Sequence, residues 1–271
     1  MSISLLTFVK GRHEALENLI KGLAKNTLLP NELIIVLMNE AERELPNAPF
    51  PIRQLVFSHE ANLPLAAARN FAAKNASGER LIFLDVDCIP STRLVKLYKE
   101  NFQPGYLLNG TVRYLKKGFD AQLEWFSDME SLSRPDPVRY GLEKLPHELF
   151  WSLNFGCLAT DYENIGGFDE SFIGYGAEDT DFAFTARRKN IAMKLFDAVA
   201  YHQYHEQYQP PLNHFADIVR NAKTFHDKWG KWPMEGWLKS FAEFGLLIWD
   251  QNDLQIIRQP SVEEISVSLK D

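Results

Sequence analysis

The chain has 271 residues, a mass of 31.2 kDa and a composition of 45% hydrophobic, 24% charged and 13% aromatic residues. This composition excludes disordered, collagen-like and coiled-coil proteins, and a chain of this length buries about 75% of its unfolded surface. The formal net charge of −7 disfavours nucleic-acid binding but leaves a local cationic pocket open. The two cysteines, Cys88 and Cys157, form neither a disulfide framework nor a metal-ligand spacing.

The sequence contains no clear membrane or export signal. Its longest apolar runs fall far short of the ~20 residues that a membrane-spanning helix needs. Residues 1–9 lack the basic start and the small-residue cleavage site of a signal peptide. We therefore expect a cytoplasmic protein without a transmembrane segment.

The first hundred residues alternate short apolar runs with helical patterns. The patterns predict strands over residues 4–9, 33–38, 52–57 and 81–84, and helices over residues 16–23 and 65–73. Continuous apolar runs are typical of strands covered on both faces, as in a mostly parallel sheet flanked by helices. Ligands of such sheets bind beyond the carboxyl ends of the strands, where Asn39, Glu40, Asp85 and Asp87 lie.

The second half of the chain is less regular. It predicts strands over residues 106–114 and 150–159, and helices over residues 179–189 and 215–225. We expect one domain over residues 1–230, in which residues 1–100 are a nucleotide-binding half and 101–230 an acceptor and metal half. A helical, aromatic-rich extension over residues 231–271 follows. Its tryptophans either pack against the main domain or face the acceptor or a membrane.

Two carboxylates follow the strand predicted over residues 81–84. Asp85 and Asp87 alternate along the chain, but both can reach one pocket where the chain turns at a strand end. Hard oxygen donors suit Mg²⁺ or Mn²⁺ shared with phosphate oxygens. An ordinary turn is the alternative, since Asp is common where strands end.

A glycine-containing loop leads into the helix predicted over residues 179–189. The segment 174–181 reads GYGAEDTD, so three carboxylates lie at the helix start. Capping and the helix dipole need only one or two acids there. A general base with a neighbour that holds the incoming hydroxyl explains the adjacent pair Glu178 and Asp179.

Two histidines lie three residues apart near the end of the sheet region. His202 and His205 can converge if their segment is helical or tightly turned. Imidazole beside an aspartate favours Mn²⁺ over Mg²⁺. A pair of surface histidines is the alternative.

Together these motifs resemble the GT-A glycosyltransferases of family 2. The resemblance rests on an ordered series of segments: Ser4 to Glu14, Ala68 to Asn70, Asp85 to Asp87, Gly166 to Glu170 and Gly176 to Asp179. The second half is similar to the C-terminal region of β-1,4-galactosyltransferases. The resemblance extends over about residues 3–225 and implies an α/β, Rossmann-like, mixed and mostly parallel sheet.

The resemblance also implies a role for each motif residue. The nucleotide pocket would contain Thr7, Phe8 and Arg12, with Asn39 or Glu40 near the uracil or ribose, Arg69 near the diphosphate and Asp85 near the ribose or donor sugar. Asp87, His205 and His202 would bind the metal, and Asp179 would be the catalytic base. The acceptor would contact Tyr175, Gly176, Glu178 and Asp181.

The expected function is therefore a metal-dependent, inverting transfer from a UDP-sugar to a glycan or lipid-linked hydroxyl acceptor. The resemblance favours UDP-galactose or UDP-N-acetylgalactosamine as donor and Mn²⁺ or Mg²⁺ as cofactor, and it leaves peripheral membrane contact open. One alternative is a retaining transferase similar to the polypeptide N-acetylgalactosaminyltransferases. The other is a non-catalytic module that binds a sugar nucleotide or a glycan.

Overall fold

The computed structural model describes residues 1–61, 63–121 and 125–270. The strands are β1 (Ile3–Val9), β2 (Glu32–Met38), β3 (Ile52–Phe57), β4 (Arg80–Leu84), β5 (Cys88–Pro90), β6 (Tyr106–Leu115), β7 (Ser133–Pro135), β8 (Asn154–Leu158), β9 (Ala192–His202), β10 (Gln207–Tyr208), β11 (Leu247–Trp249), β12 (Leu254–Ile256) and β13 (Leu269–Lys270). The helices are α1 (His13–Ala24), α2 (Leu65–Asn75), α3 (Leu94–Asn101), α4 (Trp125–Asp128), α5 (Ala159–Ile165), α6 (Glu178–Arg188), α7 (Phe215–Trp229), α8 (Glu235–Glu243) and α9 (Val262–Ser268). Three short 3₁₀ turns cover Phe119–Ala121, His147–Leu149 and Leu212–His214.

A nine-stranded mixed sheet forms the centre of the described fold. Its strand order is β3-β2-β1-β4-β8-β6-β9-β5, and β7 pairs with β6. Strands β1 to β4 are mutually parallel, β8 is antiparallel to both β4 and β6, and β9 is parallel to β6. Six of the nine strands (β1 to β4, β6 and β9) therefore run in one direction. The predicted α/β class with a mostly parallel sheet is confirmed.

Both faces of the sheet are covered, which explains the continuous apolar runs of its inner strands. Every residue of β1 and β2 is buried. The side chains on one face of β1 and β2 pack with α1 and α3 in one core cluster. The side chains on the other face pack with α2, α5 and α6 in a second cluster. Strand β3 lies at the sheet edge and is only partly buried. The three inner strands predicted in this half are confirmed to within one residue of each end, and β3 is confirmed with the predicted bounds.

The structure corrects the sequence-based elements in the second half. The strand predicted over residues 150–159 is shorter, because β8 begins at Asn154 and α5 follows at Ala159. Strands β5 and β9 were not predicted. Most of β9 is exposed or only half-buried and contains Lys194 and Asp197, so it lacks a continuous apolar run.

The C-terminal segment packs onto α7 through a third core cluster. Helices α7 and α8 and the hairpin of β11 and β12, together with Leu212 and Leu246, bury ten apolar residues there. Trp232, Trp237 and Trp249 pack against them. Strand β13 pairs with β10 and returns the end of the described chain to the region after β9. Among the described residues, no helix combines the length and the apolar character that crossing a membrane requires.

We expect Phe83→Ala to destabilise the fold strongly. Phe83 of β4 is fully buried and its ring stacks on that of Phe155 at a centroid distance of 4.4 Å. Removing a buried phenyl ring typically costs about 3–5 kcal/mol. Urea unfolding would measure the loss against Val56→Ala, a control at a strand position that is 46% exposed. A Phe83→Ala protein as stable as the control would contradict this packing.

Candidate active site

The turn between β4 and β5 brings the two aspartates to the edge of the sheet. The Cys88 N–H donates to the Asp85 carbonyl at 2.8 Å, which closes the turn. The Gln203 N–H donates to the Asp87 carbonyl at 2.7 Å. Because β5 also pairs with β9, the end of β9 is held directly beside Asp87.

Asp87 and the two histidines form one compact cluster. The Nε2 atom of His202 lies 3.6 Å from Asp87 Oδ1, and the Nε2 atom of His205 lies 3.7 Å from Asp87 Oδ2. One donor atom from each residue lies within 4.8 Å of the others. The histidines converge although their segment is neither helical nor a tight turn: His202 ends a strand and His205 follows in irregular chain.

The chemistry of this cluster fits a divalent metal ion. Asp87 Oδ1 is buried and accepts no hydrogen bond from the described residues. Burial raises the pKa of Asp87, but His202, Arg12 and His205 outweigh it and lower that pKa overall. Burial and Arg12 lower the pKa of His205. A charged carboxylate beside a neutral imidazole is the combination that binds metals.

Arg12 lies beside the same carboxylate. Its Nη1 atom is 2.6 Å from Asp87 Oδ2, and its side chain is 41% exposed. Arg12 immediately precedes α1, so the cation stands at the edge of the site rather than in the core. Arg12, which the sequence predicts in the nucleotide pocket, thus lies beside the cluster of Asp87, His202 and His205.

A second cluster centres on the buried guanidinium of Arg69. Its Nη1 atom lies 3.1 Å from Glu178 Oε1, and its Nη2 atom lies 3.7 Å from Asp85 Oδ1. The rings of Phe8 and Phe168 lie 4.6 and 5.0 Å from the guanidinium carbon. The structure therefore joins the first strand, α2, the β4–β5 turn and the start of α6 through one side chain.

The neighbouring Asn70 explains how the Gly166 to Glu170 motif reaches this cluster. The Asn70 amide donates to the Phe168 carbonyl at 2.8 Å, and its side-chain oxygen accepts the Phe168 N–H at 2.8 Å. This pair of bonds fixes the turn that carries the Phe168 ring. Phe168 is buried in this turn, and its contact with Arg69 is not evident from the sequence.

The two acids that begin α6 occupy different environments. Glu178 is 5% exposed, and besides Arg69 it accepts the Gly176 N–H at 3.1 Å. Asp179 is partly exposed and accepts the N–H of Thr180 at 2.7 Å. Burial and then Glu178 raise the pKa of Asp179 to about 7, although Arg69 opposes the rise. Burial likewise raises the pKa of Asp85 to about 7.

The loop before α6 is held by the C-terminal half of the protein. The Tyr175 ring stacks on His214 and on Trp237, with centroid distances of 4.6 and 5.9 Å. Gly176 has a φ of 99°, and a Cβ atom there would lie only 2.7 Å from Met234 Sδ. The positive φ therefore favours glycine at this position, and any larger residue would also have to displace the Met234 side chain.

Three predicted nucleotide-pocket residues lie on the β1 and β2 side. Thr7 is fully buried in β1, and its hydroxyl has no hydrogen-bond partner among the described residues. Glu40 accepts the Gly11 N–H at 2.6 Å, which places it near the loop that carries Arg12. Asn39 instead bonds locally, accepting the His59 N–H at 2.7 Å.

Asp181 lies apart from these groups. It is 1% exposed, and its carboxylate accepts bonds from Trp229 Nε1 at 2.7 Å and pairs with Lys228 Nζ at 2.9 Å. The structure thus uses this acid to attach α6 to α7 and does not bring it to Asp179. Successive helix residues are separated by about 100°, so residues two apart point to nearly opposite sides.

Comparison with known proteins identifies the family. Residues 4–196 match the model of glycosyl transferase family 2. The chain belongs to this family. Because the match ends within β9, the expected similarity of the C-terminal region to β-1,4-galactosyltransferases is not confirmed.

Curated relatives include two enzymes named validoxylamine A glucosyltransferase. The one from Streptomyces hygroscopicus subsp. limoneus is 24% identical over 226 residues, which are 72% of this chain and 49% of the relative. The one from S. hygroscopicus subsp. jinggangensis (strain 5008) is 27% identical over 165 residues, 52% of this chain and 39% of the relative. The chain thus spans about half or less of the length of the curated relatives it matches.

Solved structures show the same fold at low sequence identity. S. aureus TarS 1–349 in complex with UDP aligns with a TM-score of 0.55 and 16% identity, over 83% of this chain and 66% of that one. GalNAc-T7 with UDP, GalNAc and Mn²⁺ aligns with a TM-score of 0.51 and 15% identity, over 76% and 44%. The fold is therefore the GT-A fold of glycosyltransferases.

We expect Asp87→Ala to weaken metal binding at least about 10- to 100-fold, the loss typical of groups that only support metal ligands. Asp87 supplies the one carboxylate of the cluster with the two histidines. Calorimetric titration with Mn²⁺ alone would measure the change. Asp197→Ala, an exposed aspartate of β9, is the matched control. Equal Mn²⁺ affinity of the two variants would contradict the metal assignment.

Proposed function

We propose that the protein transfers a hexose or N-acetylhexosamine from a UDP-sugar to a hydroxyl acceptor, with inversion at the anomeric carbon. The observation that carries the proposal is the convergence of Asp87, His202 and His205 in a family 2 domain. The partly exposed carboxylate of Asp179 lies in the same polar region as this cluster. Arg69 makes the connection, because it pairs with Asp85 on one side and with Glu178, the residue before Asp179, on the other.

The donor side of the site consists of cations and metal ligands. Asp87, His205 and His202 would hold Mn²⁺ or Mg²⁺, which when bound neutralises the charge of the departing diphosphate. Arg12 adds a half-exposed positive charge beside the same carboxylate. Thr7, Phe8, Glu40 and Asn39 lie along the β1 and β2 ends, where we propose that the nucleotide binds.

On the acceptor side we assign Asp179 as the general base. Its carboxylate takes the proton of the acceptor hydroxyl as that oxygen attacks, and a single displacement then inverts the configuration. Glu178 remains a proposed partner in acceptor orientation, acting from a buried position on Gly176. Because Asp181 bonds within the protein, we place acceptor contact chiefly at Tyr175 and Gly176.

The domain division is also part of the proposal. Gly230, with a φ of 64°, ends α7 at the predicted boundary between residues 1–230 and the extension. We propose that α6, α7 and the preceding loop are the part similar to β-1,4-galactosyltransferases. A UDP-galactose or UDP-N-acetylgalactosamine donor is favoured on that basis, and the glucosyltransferase relatives make a glucose donor worth testing.

A screen of UDP-sugars with Mn²⁺ tests the proposal. Each donor would be incubated with glycan and lipid-linked acceptors, and UDP release and product formation would be measured with and without EDTA. NMR would give the anomeric configuration, which should be β from an α-linked donor. An α-linked product would instead favour the retaining alternative. Tight UDP binding without transfer from any donor would favour the binding module.

We expect the pH dependence of transfer to report Asp179. A general base acts only when it is deprotonated, so a pKa near 7 predicts that kcat/KM falls about tenfold per unit below pH 7 and is level above it. Initial rates between pH 5.5 and 8.5 would measure this. A profile that is flat through pH 6 would contradict the assignment.

The substitution Asp179→Asn keeps the size of the side chain but removes its ability to accept a proton. We expect a loss of about 10²- to 10⁴-fold in kcat with nearly unchanged UDP binding. Asp197→Asn is the control, since that carboxylate is exposed on β9. Near-normal turnover of Asp179→Asn would remove the inverting mechanism.

A further inference from the structure

Asn221 of α7 makes an unusual set of contacts with the loop before α6. Its side chain is fully buried. Its amide Nδ2 atom lies within hydrogen-bond distance of three loop carbonyls, those of Ile173 at 3.1 Å, Tyr175 at 3.3 Å and Gly176 at 2.9 Å. One side chain thus serves the backbone of almost the whole loop.

The loop needs such support because it has no regular backbone bonding of its own. Gly174, Gly176 and Ala177 have φ values of 82°, 99° and 72°. Helix α6 follows directly, and its N-terminus has no side-chain cap. The Ile173 carbonyl also accepts a bond from Arg220, so the carbonyls that depend on the Asn221 amide are those of Tyr175 and Gly176. A carbonyl that loses its partner is costly, so the Asn221 amide stabilises this particular loop conformation over others.

From the loop, a chain of polar contacts leads to the active site. The Gly176 N–H donates to Glu178 Oε2, the other Glu178 oxygen pairs with Arg69, and Arg69 pairs with Asp85. Asp179 is the next residue after Glu178 on the uncapped first turn of α6. The position of its carboxylate therefore depends on the loop that Asn221 holds.

We infer that Asn221 is a positioning residue that fixes the orientation of Asp179 by binding the carbonyls of Ile173, Tyr175 and Gly176. The inference rests on the proposed function, because it concerns the base of that reaction. Asn221 lies outside the residues that match the family model, since α7 begins 19 residues after residue 196. Helix α7 thereby helps to position the proposed base, besides packing against α8 and the hairpin of β11 and β12.

The test is the isosteric substitution Asn221→Asp, which replaces the donating amide by an oxygen that faces the same carbonyls. We expect kcat to fall about 10- to 100-fold, because small misplacements of a catalytic group carry penalties of this size. The KM for the UDP-sugar should stay within about twofold, since the nucleotide residues lie on other elements. Unchanged kcat would overturn the inference.

A matched control separates positioning from loss of stability. Asn26 is also buried, donates to the Gly22 carbonyl and accepts the Val95 N–H, far from the loop in the described structure. Asn26→Asp should lower the melting temperature without lowering kcat per folded molecule. A kcat loss equal to that of Asn221→Asp would show a merely structural effect and overturn the inference.

A double substitution asks whether Asn221 acts through the base. In an Asp179→Asn background, Asn221→Asp should cause little further loss, because no base remains to be positioned. If the kcat loss of the double variant equals the product of the two single-variant losses, the inference is overturned. If Asn221→Asp does not fold, Asn221→Ser keeps one donor, and we then expect a partial loss of kcat; normal kcat would again overturn it.

Hydrogen exchange gives a readout that does not need turnover. Amides of residues 173–177 should exchange faster in the Asn221 variant, while those in the middle of α6 keep their protection. Equal exchange of these loop amides in the wild-type protein and the Asn221 variant would overturn the inference about Asn221 but leave the proposed function standing. A wild-type protein that transfers no sugar would instead overturn the proposed function, and with it the role of Asn221 toward Asp179.

Discussion

The guanidinium of Arg69 is 3% exposed and lies among two aromatic rings and the carboxylates of Glu178 and Asp85. A buried cation is costly unless carboxylates compensate its charge, so this arrangement requires all of its partners to be in place. The partners come from the first strand, the β4–β5 turn and the start of α6. The relative position of the β4–β5 turn and the start of α6 therefore depends on this one ion-pair cluster.

The cluster of Asp87, His202 and His205 depends on strand pairing rather than on a local motif. Strand β5 is antiparallel to β9, and the register places Cys88 opposite His202. Asp87 and the two histidines are thereby brought together across more than a hundred residues of sequence. The two aspartates consequently have different partners: Asp87 faces the histidines and Arg12, whereas Asp85 faces Arg69.

Helices α7 and α8, which lie beyond the residues matched to the family, contact the loop before α6 and α6 itself. Helix α7 holds the loop through Asn221, and it holds α6 through Lys228 and Trp229. Trp237 of α8 packs on Tyr175. The Asn221 and Trp237 contacts stabilise the observed loop conformation, whereas those of Lys228 and Trp229 attach α6 to α7. The loop before α6 is thus bounded by elements that lie beyond the residues matched to the family.

The sequence by itself determined the inner strands, because strands buried on both faces must be continuously apolar, and it placed Asp85 and Asp87 at a strand end. It also indicated the family through the order of its motifs. Tertiary structure alone decided the rest. Strand β9 is half-exposed and carries no periodic signal, yet it delivers His202. Asp181 is a neighbour of Asp179 in sequence but points elsewhere, because successive residues of a helix turn by about 100°. Asn221 shows no signal at all, since its partners are backbone carbonyls, and these are identical in every sequence.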